Sequence, residues 1–400
     1  MGKDLKDKEI GRGISQRQDG RYIARYVDKF GKRQTIYNFK LQAIKRALSD
    51  AKYETEHGLS GNGINITLND WYVAWTDLYK RKMVKQTTLY KNDSYYNARI
   101  RNTIGDMFLK DIKLIHIQAF LNNLFEDGLA FGTVMNIRFL LNGIFEKAKL
   151  NDYIIRNPCD GLEFPKQEKH ERRVLTIQEQ KTFFEYATTY THVNVLRFAL
   201  ATGCRIGEVL GLKWEDVNFE KRIISINKTI HFSKASSPIE GSKFFYTSPK
   251  TADSLRNLLM TDEVLEILKA QKVKQLNEKI LKGKQWKQVE PFINIVFTCG
   301  FGNPIYYVNV NESIKEIVER INIIEIALSK EENRMPIKFE PFTPHCLRHT
   351  FATRCFEKGI EPKVIQGILG HAKLNITTDL YTHVTAEKQS KELENLRLFA

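Results

Sequence analysis

The first forty residues alternate apolar and polar positions in three short runs, Ile14 to Arg17, Arg21 to Val27 and Arg33 to Tyr37. A period of two predicts strands. Asp19-Gly20 predicts a hairpin turn between the first two, and DKFGK joins the second pair. The period then lengthens. Leu41, Ile44, Leu48 and Ala51 recur at helical spacing and predict a helix over Lys40 to His57. A three-stranded sheet covered by one helix has one open face. Arg21, Tyr22, Arg25, Tyr26, Arg33 and Tyr37 are expected on the open side.

GLSGNGIN, Gly58 to Asn65, reads as a flexible linker. An all-helical block follows. Leu68, Trp71, Trp75 and Leu78 make one apolar stripe, and Leu89, Tyr96 and Ile100 another. Ile115 to Phe125 and Val134 to Leu150 supply two more. Asn157-Pro158 closes the block, and LEFPKQEKHERR is a charged connector. Thr176 with Glu179 predicts a capping box, and His192 to Thr202 the next helix. After Val217 the period returns to two: Ile223 to Ile230, Phe244 to Thr247 and Leu255 to Met260 read as strands. That pattern puts Lys250 on a hairpin turn between the last two. Ile295 to Thr298 is expected as a further strand before a Gly302-Asn303-Pro304 turn. Lys269 to Lys287 is a basic, apolar-poor helix and loop. Ala386 to Phe399 reads as a charged helix with Leu393, Leu396 and Phe399 on one side.

The expected class is therefore multidomain. A small α+β unit, a three-stranded sheet plus helix, spans residues 1–60. An all-α unit spans 66–165, and a mainly α, mixed α+β unit with a small β-sheet spans 170–400.

Charge narrows the partner. The 400 residues carry a net charge of +15, which favours a polyanion: nucleic acid or a membrane surface. The most apolar run, INIIEIAL, is too short to span a bilayer and contains Glu325. The opening MGKDLKDKEIG lacks the apolar run of a signal peptide. No membrane partner is expected. The five cysteines form no C-x-x-C pair, which suits a reducing cytoplasm and speaks against structural zinc. There is no G-x-x-x-x-G-K-[ST] loop, so no nucleotide or other cofactor is called for.

Two separated motifs carry chemistry. In TGCRIGEVLGLKWEDV, Gly203 permits a tight turn and Arg205 stands at the mouth of a new helix, where its charge adds to free amides. Glu208 lies three residues on, on the same face, placed to orient Arg205 or a nearby histidine. In PHCLRHTF, His345 and Arg348 share one helical face, while Leu347 and Phe351 anchor another. Arginine fits phosphate oxygens, and histidine moves a proton near neutral pH. His371 follows at a Leu-Gly-His turn, and Tyr381, a possible nucleophile, comes soon after. His345 and His349 are spaced for a metal, but the zinc-protease pattern needs Glu where Cys346 stands, so no metal is assigned. Taken singly, each of these residues has an ordinary structural reading.

Together, and in this order, Arg205, His345-x-x-Arg348, His371 and Tyr381 in LYTHV resemble the tyrosine recombinases, or phage-type integrases. The resemblance is specific from Val174 to Val384, and the upstream layout is similar to integrases of conjugative transposons and temperate phages. It implies a site-specific recombinase of a mobile element that cuts and rejoins DNA through a 3′-phosphotyrosyl intermediate. Tyr381 would be the nucleophile, Arg205 and Arg348 the clamp on the non-bridging oxygens, and His345 and His371 the helpers in proton transfer and phosphate binding. Lys250, just before Thr-x-x-Ser-x-Arg, would protonate the leaving oxygen, with Lys234 and Lys243 as fallbacks. The resemblance also implies an arm-type DNA-binding unit at residues 1–60. Residues 66–165 would be a SAM-like core-binding domain touching the duplex backbone through Lys80, Arg81, Lys82, Lys85 and Arg99. Double-stranded DNA with core and arm sites, a homotetramer on that DNA, and an excisionase or DNA-bending accessory protein would be partners in a bacterial cytoplasm. Two alternatives share parts of the pattern: a type IB topoisomerase, and a catalytically silent DNA-binding protein. The arm-like start argues against the first and the full residue set against the second.

Overall fold

In the computed structural model of the chain, which describes residues 2–27, 32–56, 66–166, 172–232, 243–247 and 255–370, the alternating start folds as expected. The described residues form two units, Met1–Lys169 and His170–Ala400. In the first, β1 (Gly2–Lys3) pairs with β2 (Glu9–Gly11) in a small ribbon that the hydrophobic pattern did not announce. Then β3 (Ile14–Gln16), β4 (Tyr22–Val27) and β5 (Arg33–Asn38) form an antiparallel sheet in the order β3-β4-β5. Gly20 makes the turn between β3 and β4 at φ +85°, a conformation glycine adopts without a steric penalty. Helix α1 (Leu41–Glu56) covers one face, with Ile44 and Leu48 packed on Ile10, Ile14 and Ala24.

The pleat corrects one expectation. Tyr22 and Tyr26 share the parity of Ala24 and pack on the helix side, not on the open face with the arginines. The open face carries Arg25 opposite Thr35, Ile23 opposite Tyr37 and Val27 opposite Arg33. A single step along a strand reverses the face, and Arg21 lies outside the strand altogether.

The rest of this unit is helical: α2 (Leu68–Trp75), α3 (Gln86–Tyr95), α4 (Leu114–Glu126) and α5 (Phe131–Leu150). Leu68, Trp71 and Trp75 are buried among Ile117, Leu121 and Ile144, and Trp71 Nε1 donates to the Ile144 carbonyl at 3.0 Å. Leu78 departs from its expected place and is 71% exposed. The helix widens into a π-helical turn over Thr76–Lys80, and the inward position passes to Tyr79.

In the second unit, Thr176 and Glu179 form the expected reciprocal capping box at the start of α6 (Ile177–Tyr186). There follow α7 (Val193–Thr202), α8 (Ile206–Gly211), β6 (Val217–Asn218), β7 (Ile223–Ile226), β8 (Thr229–Phe232), β9 (Phe244–Thr247) and β10 (Arg256–Leu259). The chain closes its described part with α9 (Asp262–Lys282), α10 (Tyr307–Glu331), α11 (Pro344–Glu357) and α12 (Pro362–Leu369). INIIEIAL lies within α10, and no helix of the described residues is long and apolar enough to cross a membrane.

Three strand expectations change. Ile223 to Ile230 is two strands in different sheets, ordered β10-β7-β6 and β8-β9. Phe244–Thr247 pairs with β8, and the expected turn bearing Lys250 lies outside the described residues. Arg256–Leu259 pairs with β7 and not with β9, so β9 and β10 belong to different sheets. Ile295 to Thr298 makes isolated bridges to Lys213 and Pro304 in place of a strand. The core joins α7, α9 and α10 to the sheet through Phe198, Leu268, Phe297 and Ile314, all fully buried.

Candidate phosphate-binding site

The site is built where three elements end or begin. Helix α7 stops at Gly203, which takes φ +64° as its C-cap. Two residues later Arg205 is the N-cap of α8, in extended conformation, and Glu208 at the third helical position accepts from its backbone N–H at 3.0 Å. The same carboxylate accepts from Arg205 Nη1 at 2.9 Å. Of the two partners expected for Glu208, the contact is with Arg205, which remains 40% exposed.

Helix α11 brings the second motif. It is buried on most sides: Cys346, Leu347, Thr350 and Phe356 all face protein. Thr350 Oγ1 accepts from the Leu175 N–H, and Arg354 donates to the Leu175 carbonyl. This tie fixes the helix against the start of the unit. Arg348 is turned inward and is 2% exposed, while His345, one turn earlier, is at the solvent rim. Arg348 Nη1 donates to the Gly203 carbonyl at 2.8 Å and Nη2 to the Leu369 carbonyl at 2.7 Å. Burial first, then Arg205 nearby, pulls its proton affinity down to about 9, which still leaves it charged at neutral pH. Desolvation of the inner side of His345, followed by Arg348, Arg205 and Arg172, holds its imidazole below the ordinary value, which favours the neutral ring. His345 and His349 meet edge to face at 4.4 Å between centroids, and no group of three metal-binding side chains occurs among the described residues.

The residue that periodicity did not single out is Arg256. On β10 it shares the inward parity of Leu258, and its side chain is 6% exposed. Arg256 Nη2 donates to Glu208 Oε2 at 2.8 Å and Nε to the Ile368 carbonyl at 2.6 Å. Burial raises the Glu208 pKa, but the Arg256 and Arg205 guanidiniums outweigh it and hold the carboxyl below its usual range. The signal was an arginine two residues before a buried leucine on an alternating strand.

Three guanidiniums thus gather at the end of α12, two of them, Arg205 and Arg256, on the Glu208 carboxylate. The carbonyls of Ile368, Leu369 and Gly370 accept from Arg256, Arg348 and Arg205, the last at 3.4 Å. The final carbonyls of a helix have no partner within it, and cations suit that end of its dipole. Positive charge in excess of Glu208, with Arg205 open to solvent, suits an anion such as a phosphodiester. Lys250, His371 and Tyr381 lie outside the described residues, as does the expected Ala386–Phe399 helix.

In the first unit, Arg81, Lys82 and Arg99 are exposed and Lys80 and Lys85 half-buried. Arg81 pairs with Asp77 at 2.6 Å, and Lys80 Nζ lies 4.8 Å from the Trp75 ring. Arg25, Arg33 and Tyr37 are exposed on the sheet, and Arg21 is paired with Asp19 at 2.7 Å.

Comparison with known proteins gives consistent matches. The phage integrase family profile matches residues 173–388. The phage integrase N-terminal SAM-like domain matches residues 67–125, and the DNA-binding domain of Tn916 integrase residues 1–56. A XerC-like tyrosine recombinase of Caldanaerobacter subterraneus subsp. tengcongensis is 28% identical over 399 residues, 95% of this chain and 97% of that protein. The transposase from transposon Tn916 of Enterococcus faecalis is 25% identical over 419 aligned residues, 98% and 96% of the two chains. A Tn1549 transposon integrase solved with a circular intermediate DNA has a TM-score of 0.65 at 24% identity, covering 83% of this chain and 99% of that one. A lambda integrase solved as a tetramer on a Holliday junction has a TM-score of 0.53 at 19% identity, covering 93% and 95%. These two structural likenesses speak to the fold.

Proposed function

This chain belongs to the phage integrase family, the tyrosine recombinases, and we propose that it integrates and excises a mobile element by cutting and rejoining duplex DNA. The observation that carries the reading is the capture of adjacent carbonyls, Leu369 and Gly370, by Arg348 and Arg205. Two arginines from distant parts of the chain meet at the turn that precedes His371.

The reaction is phosphoryl transfer without an external energy source. The Tyr381 oxygen attacks a backbone phosphorus, and the bond to the 5′-oxygen breaks. The 5′-hydroxyl of another strand then displaces the tyrosine, so the bond count is conserved. A free tyrosine has a pKa of about 10 and needs help to lose its proton. Neutral His345 is suited to assist that loss, with His371 donating to a phosphate oxygen. Arg205 and Arg348 would neutralise charge as the transition state forms, and Glu208 would keep Arg205 aimed. Removing one such donor typically costs about 10²–10³ in rate. Lys250 would give its proton to the leaving oxygen.

Residues 1–60 would bind arm sites through Arg25, Arg33 and Tyr37, with Arg21 beside them. Residues 66–165 would hold the core duplex through Lys80, Arg81, Lys82, Lys85 and Arg99, and residues 170–400 would carry the chemistry. The partner would be double-stranded DNA in a bacterial cytoplasm, bound by a homotetramer and modulated by an excisionase or bending protein. The test is a suicide duplex nicked near the crossover at the element's end. The wild type should form a covalent adduct and join strands between two sites. Tyr381→Phe should bind the duplex and form no adduct. Relaxation of supercoiled DNA without joining would favour a type IB topoisomerase, and binding without any adduct a silent DNA-binding protein.

A further inference from the structure

Arg256 stands behind Arg205, away from solvent, and is not among the residues to which the reaction assigns a chemical step. Its guanidinium spans a carboxylate and a carbonyl at once, and Nη2 also reaches Cys204 Sγ at 3.6 Å. Nη2 and Nη1 face the Glu208 carboxylate at 2.8 and 3.3 Å, and Nε holds the Ile368 carbonyl at 2.6 Å. Glu208 in turn holds both the side chain and the backbone N–H of Arg205. One planar fork therefore ties the mouth of α8 to the end of α12.

We propose that Arg256 is a positioning residue for strand cleavage. It sets the aim of Arg205 through Glu208, and through Ile368 it fixes the turn that leads to His371. The argument has three parts. First, Glu208 is 5% exposed and Arg256 6%, so neither charge can be satisfied by water if the other is lost. Second, without Arg256 the carboxylate would have Arg205 as its main partner, and Arg205 would be drawn back from the phosphate into a closed pair. Third, the Ile368 carbonyl lies at a helix end, where only a donor from outside α12 can satisfy it. A lysine keeps the charge but not the fork, so it can serve the carboxylate or the carbonyl and not both. The inference rests on the phosphotransfer reading above.

The experiment uses the full chain and the nicked duplex from the element's end, with Arg205→Ala and Tyr381→Phe as controls. Arg256→Gln and Arg256→Lys should both bind this duplex with unchanged Kd. Both should form the covalent adduct about 10²-fold more slowly, the scale expected when reacting groups shift by an ångström. A structural defect alone would slow the reaction equally at every pH. If Arg256 acts through Glu208, its loss lets burial lift the Glu208 carboxyl, and Arg256→Gln should lose rate as pH falls from 8 to 6 more steeply than the wild type. Adding Glu208→Gln should flatten that slope and restore thermal stability, because no buried charge is left unpaired. It should not restore the rate. A folded Arg256→Gln with the wild-type rate would overturn the proposal. So would an Arg256→Gln/Glu208→Gln protein that cleaves as fast as the wild type, or a slope that matches the wild type's. If the wild type itself forms no adduct, the phosphotransfer reading fails, and this proposal falls with it.

Discussion

Arg348 donates to the carbonyl of Gly203 at 2.8 Å, so the buried guanidinium of one motif rests on the hinge residue of the other. Gly203 makes this hydrogen bond from a left-handed conformation, φ +64°. A Cβ there would meet Phe351 Cδ1 at 2.4 Å and Leu369 Cδ2 at 2.8 Å. Gly203→Ala should therefore strain the backbone and force apart α7, α11 and α12 together. We expect a loss of about 1–3 kcal/mol of stability from overpacking, seen in denaturant unfolding, and a further loss of adduct formation from a displaced Arg348. Unchanged unfolding and cleavage would mean that this junction yields without consequence.

Glu208 should act as a stability element in its own right. Its carboxyl is held below the ordinary value of 4.5, because Arg256 and Arg205 outweigh the burial that raises it. A depressed folded pKa contributes stability above the unfolded value and loses it as pH falls through the folded value. Glu208→Gln should therefore remove part of the acid sensitivity of unfolding below about pH 4.5, the unfolded value. Glu208→Ala at pH 7 should cost about 3–5 kcal/mol, since Arg256 would be left charged and buried without its carboxylate. Urea titrations of the three proteins at pH 4 and pH 7 check both effects.

Lys250 can be tested by the chemistry of its leaving group. Lys250→Ala should slow cleavage of an ordinary phosphodiester. The defect should largely vanish when the 5′-leaving oxygen is replaced by sulfur, because a thiolate departs without a proton. An equal defect on both substrates would remove Lys250 from the acid's role. Lys243, one residue before β9, would be tested next.

The N-terminal sheet allows a prediction by face. Arg25→Ala and Arg33→Ala should weaken binding to accessory DNA sites and lower the salt slope by about 0.9 for each phosphate that is no longer neutralised. Tyr22→Ala should mainly lower the stability of the unit, since Tyr22 packs on the cluster of Ile10, Ile14 and Ile44. Removing residues 1–65 should leave core-site cleavage intact and erase the accessory footprint. Identical footprints of the full and shortened proteins would mean that the sheet does not read DNA.

Features confined to a single turn of chain were legible without coordinates. The Thr176–Glu179 box, the Asp19-Gly20 turn and the reach of Glu208 to Arg205 each depend on residues at most three apart, whose geometry is set by local backbone preferences. The composition of the motifs likewise determined which chemistry to seek, because arginine and histidine suit an anion and tyrosine can serve as a nucleophile. The tertiary structure decided what distant segments do to one another. A π-helical turn moved Leu78 into solvent, and strand parity turned Tyr22 and Tyr26 toward the helix. The partners of Arg348 and Arg256, the carbonyls of Gly203, Leu369 and Ile368, are backbone atoms that any residue carries. No residue type marks a carbonyl as an arginine's partner. Only the packing of α7, α11, α12 and β10 brings those atoms within reach of the guanidiniums.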